Sequence, residues 1–321
     1  MWKTIVRRFL ILIPQLLALS LLVFFLAQLM PGDALRGYIG PGVHPDLVER
    51  LREHHGLNAP WYEQYWRWFT NVLSGNFGNS ITFQRPVTAV IGERIGNTML
   101  LSLMATIFTY LLAIPLGILA ARHKGRPLDK GIMIYTFVAL SIPTVVLSLI
   151  NILVFALRLE WFPAFGSIEL SAHAAGGMTA FISRVYHAML PALTMAFLYT
   201  TGIIYFLRSE IIDTDSSDFV TTARSKGVPE DKVYSHHILR NALLPVAGYT
   251  GAFIVFLFAR SIFMENVFTF QGMGQLFVNS IRGRDFPVAN ILIMFYAIIN
   301  AAAILITDII ITIIDPRIRI K

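Results

Sequence analysis

Apolar residues in this chain come in long blocks, not in the alternation of strands or the narrow stripes of surface helices. Six blocks cover Phe9–Met30, Asn97–Ala121, Gly131–Leu157, Val185–Leu207, Ala242–Met264 and Phe286–Ile314. Each reaches the roughly 20 residues that a helix needs to cross about 30 Å of hydrocarbon. Such a solvent offers no partner to a backbone N–H or C=O, so helices are the expected form throughout. Five blocks contain a proline (Pro14, Pro115, Pro143, Pro191 and Pro245), which predicts kinked helices, either for packing or around a moving pathway. The first block follows Lys3, Arg7 and Arg8 like a signal peptide, but it is too long for one and no small-x-small cleavage site follows. It is expected to be a retained span.

Six spans place both ends of the chain on one side of the membrane, and the basic residues say which. The segments on that side carry 3, 4, 5 and 3 Lys or Arg, at the N-terminal end, 122–131, 208–241 and after Asp315. The loops 158–184 and 265–285 on the other side carry two each. The segment 31–96 has six basic and six acidic residues and is long enough to be translocated whatever its charge. Both termini and the 208–241 loop are therefore expected in the cytoplasm, and 31–96 outside. The organisation expected is a tail and first span in 1–30, an extracellular insert in 31–96, and a five-helix core in 97–321.

Composition agrees with a membrane protein: mean hydropathy is +0.64 and only 14% of the 321 residues are charged. The net charge of +7 is spread beside the spans, where topology accounts for it, so nucleic acid is not an expected partner. With no cysteine, the chain has no disulfide, thiolate nucleophile or zinc-thiolate site. It also lacks a glycine-rich cradle for nucleotide phosphate, a paired-histidine metal motif and a nucleophile elbow. No catalytic site, cofactor or metal is expected in it. The doublets His54-His55 and His236-His237 point in diverging directions on a helix and make poor ligand pairs. His187 reads as a hydrogen-bonded interhelical residue.

Charges inside spans are the default functional candidates. Arg260, about 27 Å of helix beyond Ala242, falls near the outer face, where it can snorkel or meet Glu265. Asp308 falls near the inner end of the last span. Arg260, Glu265 and Asp308 are thus candidates for a pathway or a structural role. In the insert, "DLVERLREHHG" (Asp46–Gly56) and "PWYEQYWRWFTNVLSG" (Pro60–Gly75) read as two helices. The second is rich in aromatic residues. Trp61, Tyr65, Trp66 and Trp68 suit a helix lying on the outer membrane surface, a docking face for an external protein, or both.

Between the fourth and fifth spans runs "SSDFVTTARSKGVPEDKVYSHHILRNALLP", Ser216–Pro245. Ser217 or Asp218 is placed to cap a short helix over Phe219–Lys226, with Gly227 as the left-handed residue that ends it. Pro229 opens a second helix that runs on into the fifth span. Val220, Ala223 and Gly227 share one side of the first. Helices this short need something to pack on them, either a partner protein or the chain's own spans.

"DFVTTARSKG" followed by "HHILRNALLP" resembles the cytoplasmic signature of ABC importer permeases, in the variant of the oligopeptide, dipeptide and nickel branch. The strings "MPGD" (30–33), "HGLNAPWYEQY" (55–65), "GNFGNS" (75–80), "ENVFTFQGMGQL" (265–276), "RDFP" (284–287) and "DPRIR" (315–319) extend the resemblance over nearly the whole chain. The insert after the first span is similar to that of the B-type subunit. Gln271, where the family commonly has proline, and Arg260, in a usually uncharged segment, depart from the pattern.

The resemblance implies an all-α membrane protein of six transmembrane helices with the type I ABC importer permease fold. It implies a bacterial plasma membrane location and import of oligopeptides or dipeptides, with nickel chelates as an alternative cargo. The expected partners are a second homologous permease subunit, two cytoplasmic ATPases that bind ATP and Mg2+, an extracellular peptide-binding protein and membrane lipid. Asp218, Phe219, Val220, Ala223, Arg224, Lys226, Gly227 and Val228 would form the helix that couples to an ATPase. An ion-coupled carrier would show acidic or histidine residues at mid-bilayer and often inverted repeats, and an intramembrane enzyme would show a paired constellation. Neither pattern is present.

Overall fold

The computed structural model describes residues 2–29, 46, 50 and 58–314, with side chains except at 2–9, 27, 29, 247–252, 254–257, 306 and 308–314. Apart from Asp46 and Arg50, the expected helix over 46–56 therefore lies outside the described residues, as do the strings at 30–33 and 315–319, His54-His55 and the side chain of Asp308.

Helices are α1 (Trp2–Leu29), α2 (Trp61–Leu73), α3 (Val87–Arg122), α4 (Pro127–Ser141), α5 (Thr144–Asn151), α6 (Leu170–Ala175) and α7 (Gly177–Asp215). They continue as α8 (Asp218–Ser225), α9 (Glu230–Lys232), α10 (Arg240–Val267), α11 (Met273–Gly283) and α12 (Phe286–Ile314). The wider π-helical turns Ile152–Arg158 and Val233–Leu239 extend α5 and α9. The described residues contain no strand; a lone bridge pairs Asn79 with Pro86.

Each expected span falls on a helix or helix pair. Among the described residues three helices, α3, α7 and α12 through Leu305, are long, unbroken and apolar enough to cross a membrane, and α4 with α5 makes a fourth if the bent pair is one span. The chain runs helically through Pro14, Pro115, Pro191 and Pro245. Pro143 does more than kink: α4 and α5 diverge by 101°. Ile142 is extended (ψ 121°), as the Pro Cδ demands of the residue before it, and Pro143 then opens α5. The Ser141 hydroxyl donates back one turn to the Phe137 carbonyl at 2.8 Å.

The chain divides into two compact units. The first holds 97–271 and the described residues from 303 on. Its interior is built from α3, α7, α10 and the segment after α10, with Leu101, Met195, Ile204, Leu207, Ile238, Met264, Phe268 and Phe270 almost fully buried. At Gly117 a Cβ would meet the Leu207 side chain at 3.1 Å, so a small residue there lets α3 and α7 approach closely. Tyr135 of α4 hydrogen-bonds the Phe197 carbonyl (2.7 Å) and Thr200 (2.6 Å) of α7. Glu265, fully buried, accepts from Thr98 (2.7 Å) and Ser261 (3.0 Å), and Asn97 donates to the Gln271 carbonyl (2.7 Å).

The second unit holds 2–96 and 272–302. Here two of the quoted strings meet. Arg284 ends α11 in a left-handed conformation (φ 58°), and the turn it makes places Asp285 in a buried position. Its carboxylate accepts from the Ser80 hydroxyl and from the N–H groups of Ile81 and Thr82, both at 3.1 Å. Ser80 in turn accepts from the Phe83 N–H at 2.9 Å. One acid thus organises the 80–83 turn ahead of α3.

Asp285→Ala is expected to lower stability by about 2–4 kcal/mol, because three donors lose their acceptor together. Ser80→Ala should cost about 1 kcal/mol and add little to the Asp285→Ala loss in a double variant. Thermal unfolding in detergent measures both, and an Asp285→Ala variant as stable as the parent would refute the assignment.

Candidate functional site

At 39 residues α7 is about 58 Å long, well beyond a hydrocarbon core of about 30 Å. Its last turns carry the chain out of the apolar layer and directly into α8. Ser217 occupies the cap position of α8, yet its hydroxyl turns back to the Thr214 carbonyl (2.5 Å) and does not cap. The expectation of a Ser217 or Asp218 side-chain cap is corrected here: the α7 carbonyls, left over at that helix end, capture the hydroxyl first.

The C-terminal end of α8 forms as the sequence suggests. Gly227 is left-handed (φ 76°), its N–H donates to the Arg224 carbonyl (2.9 Å), and the Val228 N–H donates to that of Ala223 (3.3 Å). This double closure lets the chain reverse sharply into Pro229. Val220 and Ala223 are buried against the chain's own interior, so they are not a bare face. Asp218, Phe219, Lys226 and Gly227 are exposed, Phe219 to 46%, and nothing lies within 4 Å of a Cβ built on Gly227. Val228 is half-buried.

Arg224 ties three elements together. Its guanidinium meets Asp215 at the end of α7 (2.7 Å) and Glu230 at the start of α9 (2.6 and 3.1 Å). The guanidinium holds the Glu230 carboxyl below the usual carboxylate range, and Glu230, then Asp215, raises that of Arg224. Arg122, the last residue of α3, lies 3.4 Å from Asp231 and over the Tyr234 ring. Beneath this surface Arg208 of α7 grips Asp129 of α4 through two 2.8 Å hydrogen bonds, and Asp129 also accepts from the Gly125 N–H at 2.8 Å. Asp129 is buried, and this pair fixes the α3–α4 turn to the stem of α8. Sequence reading counted Arg208 only as a topology charge and passed over Asp129, since 79 residues separate the two.

The other candidates separate from this surface. Arg260 stacks over the Tyr199 ring (5.4 Å), while Glu265 is held by Thr98 and Ser261. His187 bonds within its own helix, to the Ser183 carbonyl (2.8 Å). Tyr65 and Trp68 of α2 pack on Phe24 of α1, Trp61 lies against Phe25, and Trp66 is exposed. The described residues hold no cluster of acidic or histidine side chains suited to a metal.

The model of the family described as "binding-protein-dependent transport system inner membrane component" matches residues 113–320, and that of the N-terminal part of such membrane components matches 1–103. The chain belongs to this family. The permease is 37% identical over 316 residues to the oligopeptide transport system permease protein AppB of Bacillus subtilis, covering 98% of each chain. It is 32% identical over 321 residues to the glutathione transport system permease protein GsiC of Escherichia coli K12, covering all of both. Among solved structures, the MetNI methionine ABC transporter in an inward-facing form matches with a TM-score of 0.56 at 14% identity, over 70% of this chain and 96% of that one. The fold is accordingly that of ABC importer membrane subunits, and the permease is a non-catalytic component.

The two ion-pair sites of the permease are expected to differ in weight. Arg208→Leu leaves the buried Asp129 carboxylate without its partner and should cost on the order of 2–3 kcal/mol. Arg224→Leu, at an exposed pair, should leave the melting temperature nearly unchanged. Equal losses in thermal unfolding would contradict this ranking.

Proposed function

We propose that the permease forms half of a translocation pathway that imports short peptides, driven by ATP bound with Mg2+ on separate ATPase chains. A second homologous permease subunit completes the pathway, and an extracellular binding protein delivers the cargo. The distribution of Lys and Arg supports a topology with both termini and 208–241 in the cytoplasm. Peptide cargo is supported by the names of relatives aligned along the full chain, an oligopeptide permease and a glutathione permease.

The observation that carries the coupling assignment is the two-sidedness of α8. Val220 and Ala223 lock its inner side into the chain while Asp218, Phe219 and Lys226 stand bare. An ATPase groove that receives Phe219 would move α8 as a lever, and Arg224 with Arg208–Asp129 would pass that movement to α7 and α4. Gly227 then has two reasons to be glycine: its left-handed backbone, and the space beside it that the partner would fill.

Asn and Asp tolerate left-handed backbone, so Gly227→Asn and Gly227→Asp separate these reasons. Both variants are expected to reach the membrane in normal amount yet lose most ATP-driven peptide uptake in reconstituted vesicles, with ATP hydrolysis no longer coupled to it. Normal uptake by either would contradict close coverage at Gly227.

A further inference from the structure

The helix α2 has three faces. Gln64, Tyr65 and Trp68 turn toward α1: the Tyr65 hydroxyl bonds that of Ser20 (2.8 Å), Gln64 accepts from Gln28 (3.2 Å), and Trp68 packs on Phe24. A second face is polar, with Glu63 and Arg67 one turn apart at 4.0 Å. The third, at the i, i+4, i+7, i+11 spacing of one helix side, is the stripe Tyr62, Trp66, Phe69 and Leu73. Tyr62, Trp66 and Leu73 are 56%, 63% and 71% exposed. Helix packing explains the first face and water the second, but neither explains the stripe.

We propose that this stripe is seated in lipid, making α2 a helix embedded in the interface of the leaflet at the C-terminal end of α1. Depth argues for it. The contacts of α2 on α1 begin at Gln28, beside Leu29, pass Phe25 and Phe24, and reach Ser20 only through the long Tyr65 side chain, so α2 crosses the outer part of the apolar run of α1 and does not stand beyond its end. At the level where α2 crosses, α1 has its own bare leucines, Leu22 (53%) and Leu26 (51%), as a lipid-facing helix does. The stripe composition suits this depth: Tyr62 and Trp66 pair an apolar ring with a polar edge, and the Glu63–Arg67 face turns to headgroups and water. A soluble partner would have to reach below the membrane surface to use the same stripe.

The chain has no cysteine, so a single nitroxide can be placed on the intact subunit. The full-length chain, assembled with its partner subunits in phosphatidylcholine–phosphatidylglycerol vesicles, is labelled as Tyr62→Cys or Leu73→Cys on the stripe, and as Glu63→Cys or Arg67→Cys on the polar face. Collision with oxygen, which concentrates in lipid, is compared with collision with a water-soluble nickel chelate. The stripe labels should favour oxygen severalfold and the polar-face labels the chelate, with no change when the binding protein is added. Stripe labels that favour the chelate, or become shielded only on adding binding protein, would overturn the proposal in favour of a docking face. Stripe labels reached by neither reagent would overturn it in favour of a second membrane subunit.

Discussion

A hydrocarbon solvent donates no hydrogen bond and accepts none, and this constraint orders the permease. Long stretches answer it by helix formation. Where the helix stops, the freed backbone groups must find other partners, and buried acids stand at several of these places. Asp285 gathers the N–H groups of Ile81 and Thr82, and Asp129 takes that of Gly125 before turning to Arg208. Glu265, near the end of α10, receives two hydroxyls. Each acid is expensive to bury unpaired, and each accepts hydrogen bonds that offset the cost.

The same logic yields a working surface. Because α7 outruns the apolar layer, its end can carry α8 in water on a rigid stem. The stem is joined to α4 through Arg208 and Asp129, where burial strengthens the pair, and to α9 through Arg224, where solvent weakens it. In the proposed coupling, a load applied to α8 would be borne by the core through the buried pair, while the exposed one would set the angle of the short helices. The Schellman closure at Gly227 keeps α8 short and returns the chain toward α10.

Much of this was legible in the sequence because the bilayer imposes a coarse rule. Apolar blocks located the long helices but not their ends, since α3 starts ten residues before its block and α7 runs eight residues past its block at each end, and Gly227 marked the left-handed end of α8, since little else suits that backbone. Competition between neighbouring groups was not legible: Ser217 has the residue type of a cap, but the α7 carbonyls take its hydroxyl. Nor was the severity at Pro143, which looks like the four prolines that helices accommodate. The shared side of Val220 and Ala223 was visible, but what covers it depends on how the chain folds back on itself. Asp129–Arg208 and Ser80–Asp285 were hidden for the same reason, being contacts that topology creates and no local pattern encodes.

The central claim is that α8 faces its partner with Phe219 and its own chain with Val220. In a chain without cysteine, Phe219→Cys and Val220→Cys, each labelled with a maleimide-linked benzophenone that on irradiation inserts into C–H bonds of whatever lies against it in the assembled transporter, test it directly. A covalent adduct to the ATPase from Phe219→Cys and none from Val220→Cys is the predicted result. An adduct from Val220→Cys, or none from Phe219→Cys while the complex remains intact, would contradict the account.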